Sequence, residues 1–266
     1  MKKLSNPMEI FKLLDKSNCR DCGLKTCLAF AAAVYQGQKQ LEECTHLGKE
    51  IVERYSSNVN HQQPVDQERE QAVGHLKLRI ASVDLTSVAE RLGGTFNNGK
   101  LTIKCMGKDI SVDQNGDIFT DIHVHSWLMI PVFDYIIKGA GVLASGKWVP
   151  FRELKGGKNW YRLFGQRCEK PLKKVADTYT DLFEDMIHLF NGRKVEKHYE
   201  SDISLVLHPL PNVPILICYW KPDDGLESDL NIFFDATSEE NISIESLYVL
   251  STGMVIMFEK LALRHG

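Results

Sequence analysis

Along this chain the spacing of hydrophobic positions changes twice, and each change suggests a boundary. The first stretch has helical spacing. Asn6-Pro7-Met8-Glu9 is a helix start, with Asn6 as cap, Pro7 at the first helical position and Glu9 at the third. Ile10, Leu13 and Leu14 give that short helix an apolar face. Thr26 can cap a second helix running through Leu28, Phe30, Ala31, Val34 and Tyr35, and Gly37 is its natural stop. Residues 55–73 then lose almost all large apolar side chains and read as a solvent-facing linker.

From about Gly74 the periods mix. Leu76-Lys-Leu-Arg-Ile-Ala-Ser-Val83 alternates as a strand, and Asp84 can cap a short helix through Ala89. Three strands are predicted over 101–105, 109–112 and 117–120, with turns marked by Asn98-Gly99, Gly107 and Asn115-Gly116. A helix over 126–138 carries Pro131 near its first turn or as a kink. One long helix over 171–191, strands over 203–208, 215–220 and 231–234, and a last helix over 243–263 complete the pattern. Meanders beside helices make the fold class α+β: a small helical module, then a mixed α/β domain with antiparallel meanders and packed helices. The expected divisions are 1–54, a linker at 55–73, and a domain over 74–266.

Composition adds constraints. With 43% hydrophobic and 25% charged residues the chain is globular in type, and a net charge of −3 gives no bulk attraction to nucleic acid or membrane. No apolar run reaches the ~20 residues of a bilayer span. Ser5, Asn6, Glu9 and Lys12 interrupt any signal core, so a cytoplasmic location is expected. Seven cysteines in a chain of 266 residues point to metal or redox chemistry rather than disulfides.

Four of the seven cluster: Cys19, Cys22, Cys27 and Cys44. Thiolates are the usual ligands of iron–sulfur clusters, and four complete a [4Fe-4S] centre. An unbroken helix from Cys27 to Cys44 would part their sulfurs by ~25 Å, so the chain must turn back. Seven residues from Gly37 can reach at most ~25 Å, which suffices. Gly23 permits positive φ beside the cluster, and Cys27 falls in the first turn of a helix whose positive end favours an anion. Zinc is the competing metal, although its usual second Cys-x-x-Cys pair is missing; His46 can stand in as a ligand. A buried, metal-free set of thiols is the third option.

The run Asn18-Cys-x-x-Cys-Gly-x-x-Thr-Cys-x-x-Phe-Ala-x-x-Val-x-x-Gly-x6-Cys44 resembles the four-cysteine [4Fe-4S] domain of the corrinoid iron–sulfur protein large subunit and of the B subunit of Rnf electron-transport complexes. The resemblance implies that Cys19, Cys22, Cys27 and Cys44 ligate the cluster. Two positions depart from that family: Arg20, where glycine is common, and Thr45, where proline is common. Phe151-Arg-Glu-Leu-Lys-Gly-Gly, Arg167-Cys-Glu-Lys-Pro171, Leu207-His-Pro-Leu-Pro211 and Phe234-Asp-Ala236 resemble a domain-of-unknown-function family of anaerobic bacteria. That similarity implies an anaerobic setting.

The large domain offers weaker candidates. Asp121-Ile-His-Val-His125 would place Asp121, His123 and His125 on one face of a strand, where an imidazole can meet a cofactor such as cobalamin. Asp121-x-His123-x-x-Ser126 approaches the Asp-x-His-x-x-Gly signature of base-off cobalamin domains, with serine replacing glycine. Simple alternation explains the same residues. Residues 146–174 combine glycine, basic and aromatic side chains, with Trp148, Lys158 and Trp160 as candidate contacts to an anionic cofactor or an acidic partner. A solvated basic face with core aromatics explains this stretch as well. Cys168, between Arg167 and Lys170, sits where a thiol pKa can be depressed.

The function expected is a [4Fe-4S] redox protein passing low-potential single electrons in anaerobic metabolism, with a corrinoid protein or methyltransferase as redox partner. The alternatives are a large domain that itself holds a corrinoid or other tetrapyrrole, and a cluster that senses or braces.

Overall fold

The computed structural model describes residues 4, 6–35, 37–56 and 65–265, in two compact units, Met1–Gln71 and Ala72–Gly266.

The first unit is helical. Helix α1 (Pro7–Phe11) starts where Asn6 Oδ1 accepts the Glu9 N–H at 3.0 Å. Helix α2 (Cys27–Tyr35) is capped by Thr26, whose hydroxyl accepts the Ala29 N–H at 3.1 Å. It ends in a glycine stop: Gly37 has φ +72°, and the Val34 and Ala33 carbonyls accept N–H groups from Gly37 and Gln38. A 3-10 turn, Leu41–Glu43, leads into Cys44, and α3 (Lys49–Tyr55) follows. Leu4, Ile10, Leu14, Cys27, Phe30, Ala31, Val34, Leu41 and Leu47 form the core.

The division between the units falls within α4 (Val65–Ile80). The expected linker falls partly on residues 57–64, outside the described ones, and its later part is helical. One expectation is corrected here. Leu76–Val83 is not a strand. Val73, Leu76 and Ile80 reach the core at helical spacing, and Leu78, which the alternation paired with them, is 74% exposed.

In the second unit Asp84 caps α5 (Leu85–Ala89) by accepting the Thr86 and Ser87 N–H groups. Strands β1 (Thr95–Asn97), β2 (Lys100–Cys105), β3 (Lys108–Asp113) and β4 (Ile118–Phe119) form an antiparallel sheet in chain order. Asn98-Gly99 and Met106-Gly107 both have positive φ, the geometry of tight hairpin turns. Helix α6 (Ser126–Lys138) contains Pro131.

Strand β5 (Trp148–Pro150) precedes a 3-10 turn, Phe151–Glu153. Then come α7 (Gly157–Phe164), a π turn (Gly165–Glu169), α8 (Lys170–Thr178) and α9 (Leu182–Phe190). The single long helix expected over 171–191 is therefore two. Thr178, Tyr179 and Thr180 are weak helix formers, and Asp181 precedes a fresh start with Glu184 and Asp185 in its first turn. Strands β6 (Arg193–Lys194), β7 (Ile203–Leu210), β8 (Val213–Trp220) and β9 (Asp229–Asp235) make a second antiparallel sheet, ordered β5-β9-β8-β7-β6. Helices α10 (Ser238–Asn241) and α11 (Ile244–His265) close the chain.

The fold is α+β. Alternation in the second sheet separates two faces. Leu205, Leu207, Ile215, Ile217, Tyr219, Leu230, Ile232 and Phe234 join the main core, which the first sheet also enters through Leu101, Ile103, Cys105, Ile110 and Val112. Val206, Leu216 and Cys218 face the other way, beneath Trp148, Val195, Trp220 and Phe233. Ile244–Leu263 of α11 has the length and hydropathy of a bilayer span, contrary to the expectation that no such run exists. Half of that window is buried, and Leu247, Leu250, Met254, Val255 and Phe258 pack into the core, as in the core helix of a globular domain.

Candidate metal centre

The four clustered cysteines come from three local structures. Cys19 and Cys22 sit in a tight loop in which Asn18, Arg20 and Gly23 all have positive φ (54°, 72° and 80°). Cys27 opens α2, and Cys44 follows the 3-10 turn. All four line one pocket, together with Leu14, Asn18, Arg20, Leu24, Thr26, Phe30 and Thr45. The N-terminal end of α2 borders it, where helix N–H groups favour an anion.

Second contacts fix the sulfurs. The Asn18 N–H points at Cys27 Sγ (3.3 Å), and Asn18 Oδ1 accepts the Cys27 N–H (2.8 Å). Burial pushes the Cys44 thiol up, opposed by a hydrogen bond from the His46 backbone, and nearby Asp15, Cys22 and Cys27 add to the upward push. His46 ties the loop to the returning chain, with Nε2 3.0 Å from Asp21 and Nδ1 3.5 Å from Asp15. Asp21 is held below the usual carboxylate range by His46 and the Cys19 thiol. This clamp escaped the sequence reading. Its signal was an acid beside Cys22 and a histidine two residues after Cys44.

The spacing bears on which metal fits. A tetrahedral zinc with bonds of about 2.3 Å holds its sulfurs about 3.8 Å apart. Among the described residues, the trio of potential ligand atoms within 4.8 Å of one another is Cys19, Asp21 and His46, and no three of the four sulfurs lie that close. Four thiols on one pocket are a donor set that suits an iron–sulfur cluster. His46 has a carboxylate near each ring nitrogen.

The candidates in the large domain are dispersed. Asp121–His125 is irregular rather than a strand, because α6 begins at Ser126 with His125 as its cap residue. Asp121, His123 and His125 are exposed, and the two imidazoles lie 5.9 Å apart. Burial lowers the His125 pKa, with His123 and Lys260 adding to the effect. Trp148 packs on the outer face of the second sheet. Trp160 packs against Tyr248 and the main core, and Lys158 is exposed on α7. The glycine-rich stretch is largely helix, so it forms no phosphate-cradling loop. Cys168 is fully buried and its thiol is pushed up to about 12, which reverses the depressed pKa expected for it. Cys105 is likewise pushed up to about 12 by burial.

One polar group of the large domain gave no sequence signal. Asp177 accepts from Tyr219 (2.9 Å), Ser228 (2.5 Å) and Lys173 (3.1 Å), at the edge of an open depression of about 600 Å³. Its members lie too far apart in the chain to form a motif.

A family model described as "Domain of unknown function (DUF3786)" matches residues 84–257, and one described as "Putative Fe-S cluster" matches residues 14–46, which include all four cysteines. Curated relatives match the N-terminal segment alone. The corrinoid/iron-sulfur protein large subunit of Moorella thermoacetica is 45% identical over 40 residues, 15% of this chain and 9% of that protein. The acetyl-CoA decarbonylase/synthase complex subunit gamma of Methanocaldococcus jannaschii is 32% identical over 59 residues, 22% of this chain and 12% of that protein. Subunit gamma 1 of the same complex from Methanosarcina thermophila is 38% identical over 48 residues, 18% and 10% of the two chains. The match thus spans about a tenth of these relatives' length. No solved structure matches the chain significantly. The four-cysteine segment matches an iron–sulfur family model, and the domain after it matches a different one.

Proposed function

This chain belongs to the DUF3786 family, and on that premise we propose that it is an electron carrier holding a [4Fe-4S] cluster on Cys19, Cys22, Cys27 and Cys44. The observation that carries this reading is the convergence of all four cysteines on one pocket at the N-terminus of α2. Such a cluster, when bound, takes up and releases one electron at a time. The chain's own residues supply the rest. Asn18 fixes the Cys27 sulfur, the Asp21–His46–Asp15 clamp holds the loop against Thr45, and Phe30 and Leu14 keep water from the inner side.

We place the recipient in corrinoid-linked anaerobic one-carbon metabolism. The relatives sharing the cysteine segment are a corrinoid/iron–sulfur subunit and subunits of acetyl-CoA decarbonylase/synthase complexes. The partner is then a corrinoid protein or a methyltransferase that needs strongly reducing electrons. Anaerobically purified protein is expected to be brown, with about four irons and four sulfides per chain. Replacing any one of the four cysteines by alanine should lower that content. A colourless protein with one bound zinc refutes the reading, and so does a cluster that no low-potential donor reduces.

A second reading, in which the large domain itself holds a corrinoid, draws on the exposed imidazole pair His123 and His125. It requires that added cobalamin change its visible spectrum with the wild-type protein and not with His123→Ala.

A further inference from the structure

We propose that the exposed cations of the cysteine segment, Lys16, Arg20 and Lys25, form a docking surface for the acidic face of a one-electron donor protein. This rests on the electron-carrier reading and names the partner's chemistry.

The pocket is not equally covered. Cys27 is 7% exposed, Cys22 and Cys44 are half-buried, and Cys19 is exposed. Electron tunnelling decays exponentially with distance, so a donor gains most by docking where the covering is thinnest, at Cys19 and Arg20. Exposed charge surrounds that edge. Arg20 lines the pocket, Lys25 lies between the lining residues Leu24 and Thr26, and Lys16 precedes the lining residue Asn18 by two positions.

Between Phe11 and Phe30 the chain carries four cations (Lys12, Lys16, Arg20, Lys25) against two carboxylates (Asp15, Asp21), a net of +2 within a chain whose total is −3. The two signs are also differently engaged. Asp15 and Asp21 both face His46, and Asp15 also accepts from Ser17. Lys12, Arg20 and Lys25 form no ion pair among the described residues, and Lys16 Nζ rests over the Phe11 ring at 5.6 Å. Asp15 and Asp21 are exposed as well, but each lies against His46, whereas Lys12, Lys16, Arg20 and Lys25 have no carboxylate partner among the described residues.

Backbone geometry is a separate sign. Lys16 and Arg20 stand at φ +64° and +72°, a region that costs a non-glycine residue about 1–2 kcal/mol. Strain of this kind collects at functional positions. Here it is borne by two cations on either side of Asn18. When the donor docks, one electron leaves its redox centre and enters the cluster; the donor is oxidised, the cluster reduced, and no covalent bond changes.

The test uses the full chain, purified anaerobically, and plant-type [2Fe-2S] ferredoxin as the acidic probe. Calorimetry measures Kd at low and moderate salt, with methyl viologen radical as a small cationic reductant for comparison. The ferredoxin Kd should weaken at least about tenfold from 20 to 200 mM NaCl, and at least about tenfold in Lys16→Glu/Lys25→Glu with iron content unchanged. Reduction by the viologen should not slow in that variant. If the charge reversal costs iron, Lys16→Ala/Lys25→Ala takes its place, with a smaller loss in the same direction. A ferredoxin that does not bind, or binds equally to wild type and variants, overturns the docking proposal while leaving the cluster standing. Wild-type protein without iron refutes the electron-carrier reading itself.

Discussion

At position 20 an arginine stands at φ +72°, in a loop whose next turn, at φ +80°, is made by glycine. A Cβ added to Gly23 meets no protein atom within 4 Å, so within the chain the cost of a side chain there is that of its backbone. These two residues therefore form a matched pair. Arg20→Gly should raise the stability of the N-terminal unit by about 0.5–1 kcal/mol after the extra unfolded-state freedom of glycine is subtracted. Gly23→Ala should lower it by about 1 kcal/mol. Melting curves with iron content measured in parallel check both, and a destabilising Arg20→Gly would mean that the guanidinium contributes more than its strained backbone costs. The glycine common at this position in the resembling family has a simple cause in that φ value. The cysteines were legible because sulfur chemistry is rare and their spacing is local. The clamp through Asp21 and His46 was not, since exposed acids and histidines are ordinary residues until the fold joins them.

Among the elements, the Gly156-Gly157 pair shows how a motif changes meaning once it is folded. In the sequence it reads as a flexible, anion-binding loop. In the structure Gly156 turns the chain at φ +83°, and Gly157 starts α7 pressed against the Phe151–Glu153 turn. A Cβ on Gly157 would lie 1.9 Å from the Phe151 carbonyl oxygen. Gly157→Ala is thus expected to destabilise the large domain by more than about 2 kcal/mol, as overpacking against immovable backbone does. Iron content should stay at the wild-type value. Urea unfolding followed by tryptophan fluorescence reads the first quantity, and an unchanged midpoint would show that α7 can slide.

The errors in element assignment have a common origin. Leu76, Leu78 and Ile80 alternate perfectly, yet only Leu76 and Ile80 reach the core; period two and period 3.6 agree over so short a window. The hairpins at Asn98-Gly99 and Met106-Gly107 were legible at their glycines, because positive φ is written in residue type. The irregular path of Asp121–His125 was not, because nothing local distinguishes an extended segment with a ladder from one without.

For the large domain as a whole, one continuous core leaves a few ionisable groups to set the response to pH. Burial pushes Asp134 and Asp235 upward, but hydrogen bonds outweigh it and hold both below the usual carboxylate range: Lys138 and Ser243 on Asp134, Thr237 and Ser145 on Asp235. Their stabilising contribution is present above the unfolded-state pKa of about 3.9 and is lost as pH falls through the folded value. Glu169 behaves oppositely. Burial pushes it up, Asp229 adds to that, and the Ile232 N–H and Arg152 only partly offset it. Its contribution is fully present below about pH 4.3, the unfolded value, and is lost as pH rises through the raised folded value. At neutral pH an ionised Glu169 therefore opposes folding, whereas a glutamine keeps an oxygen for the Ile232 N–H, which Glu169 Oε1 accepts at 3.3 Å. Glu169→Gln should melt at a higher temperature than wild type at pH 7, and the gain should shrink to nothing by about pH 4. Wild type itself should lose stability below about pH 4 as Asp134 and Asp235 are protonated. Thermal scans of both proteins across pH 3.5–8 separate the effects. A gain of equal size at both ends of that range would assign it to packing around the π turn rather than to charge.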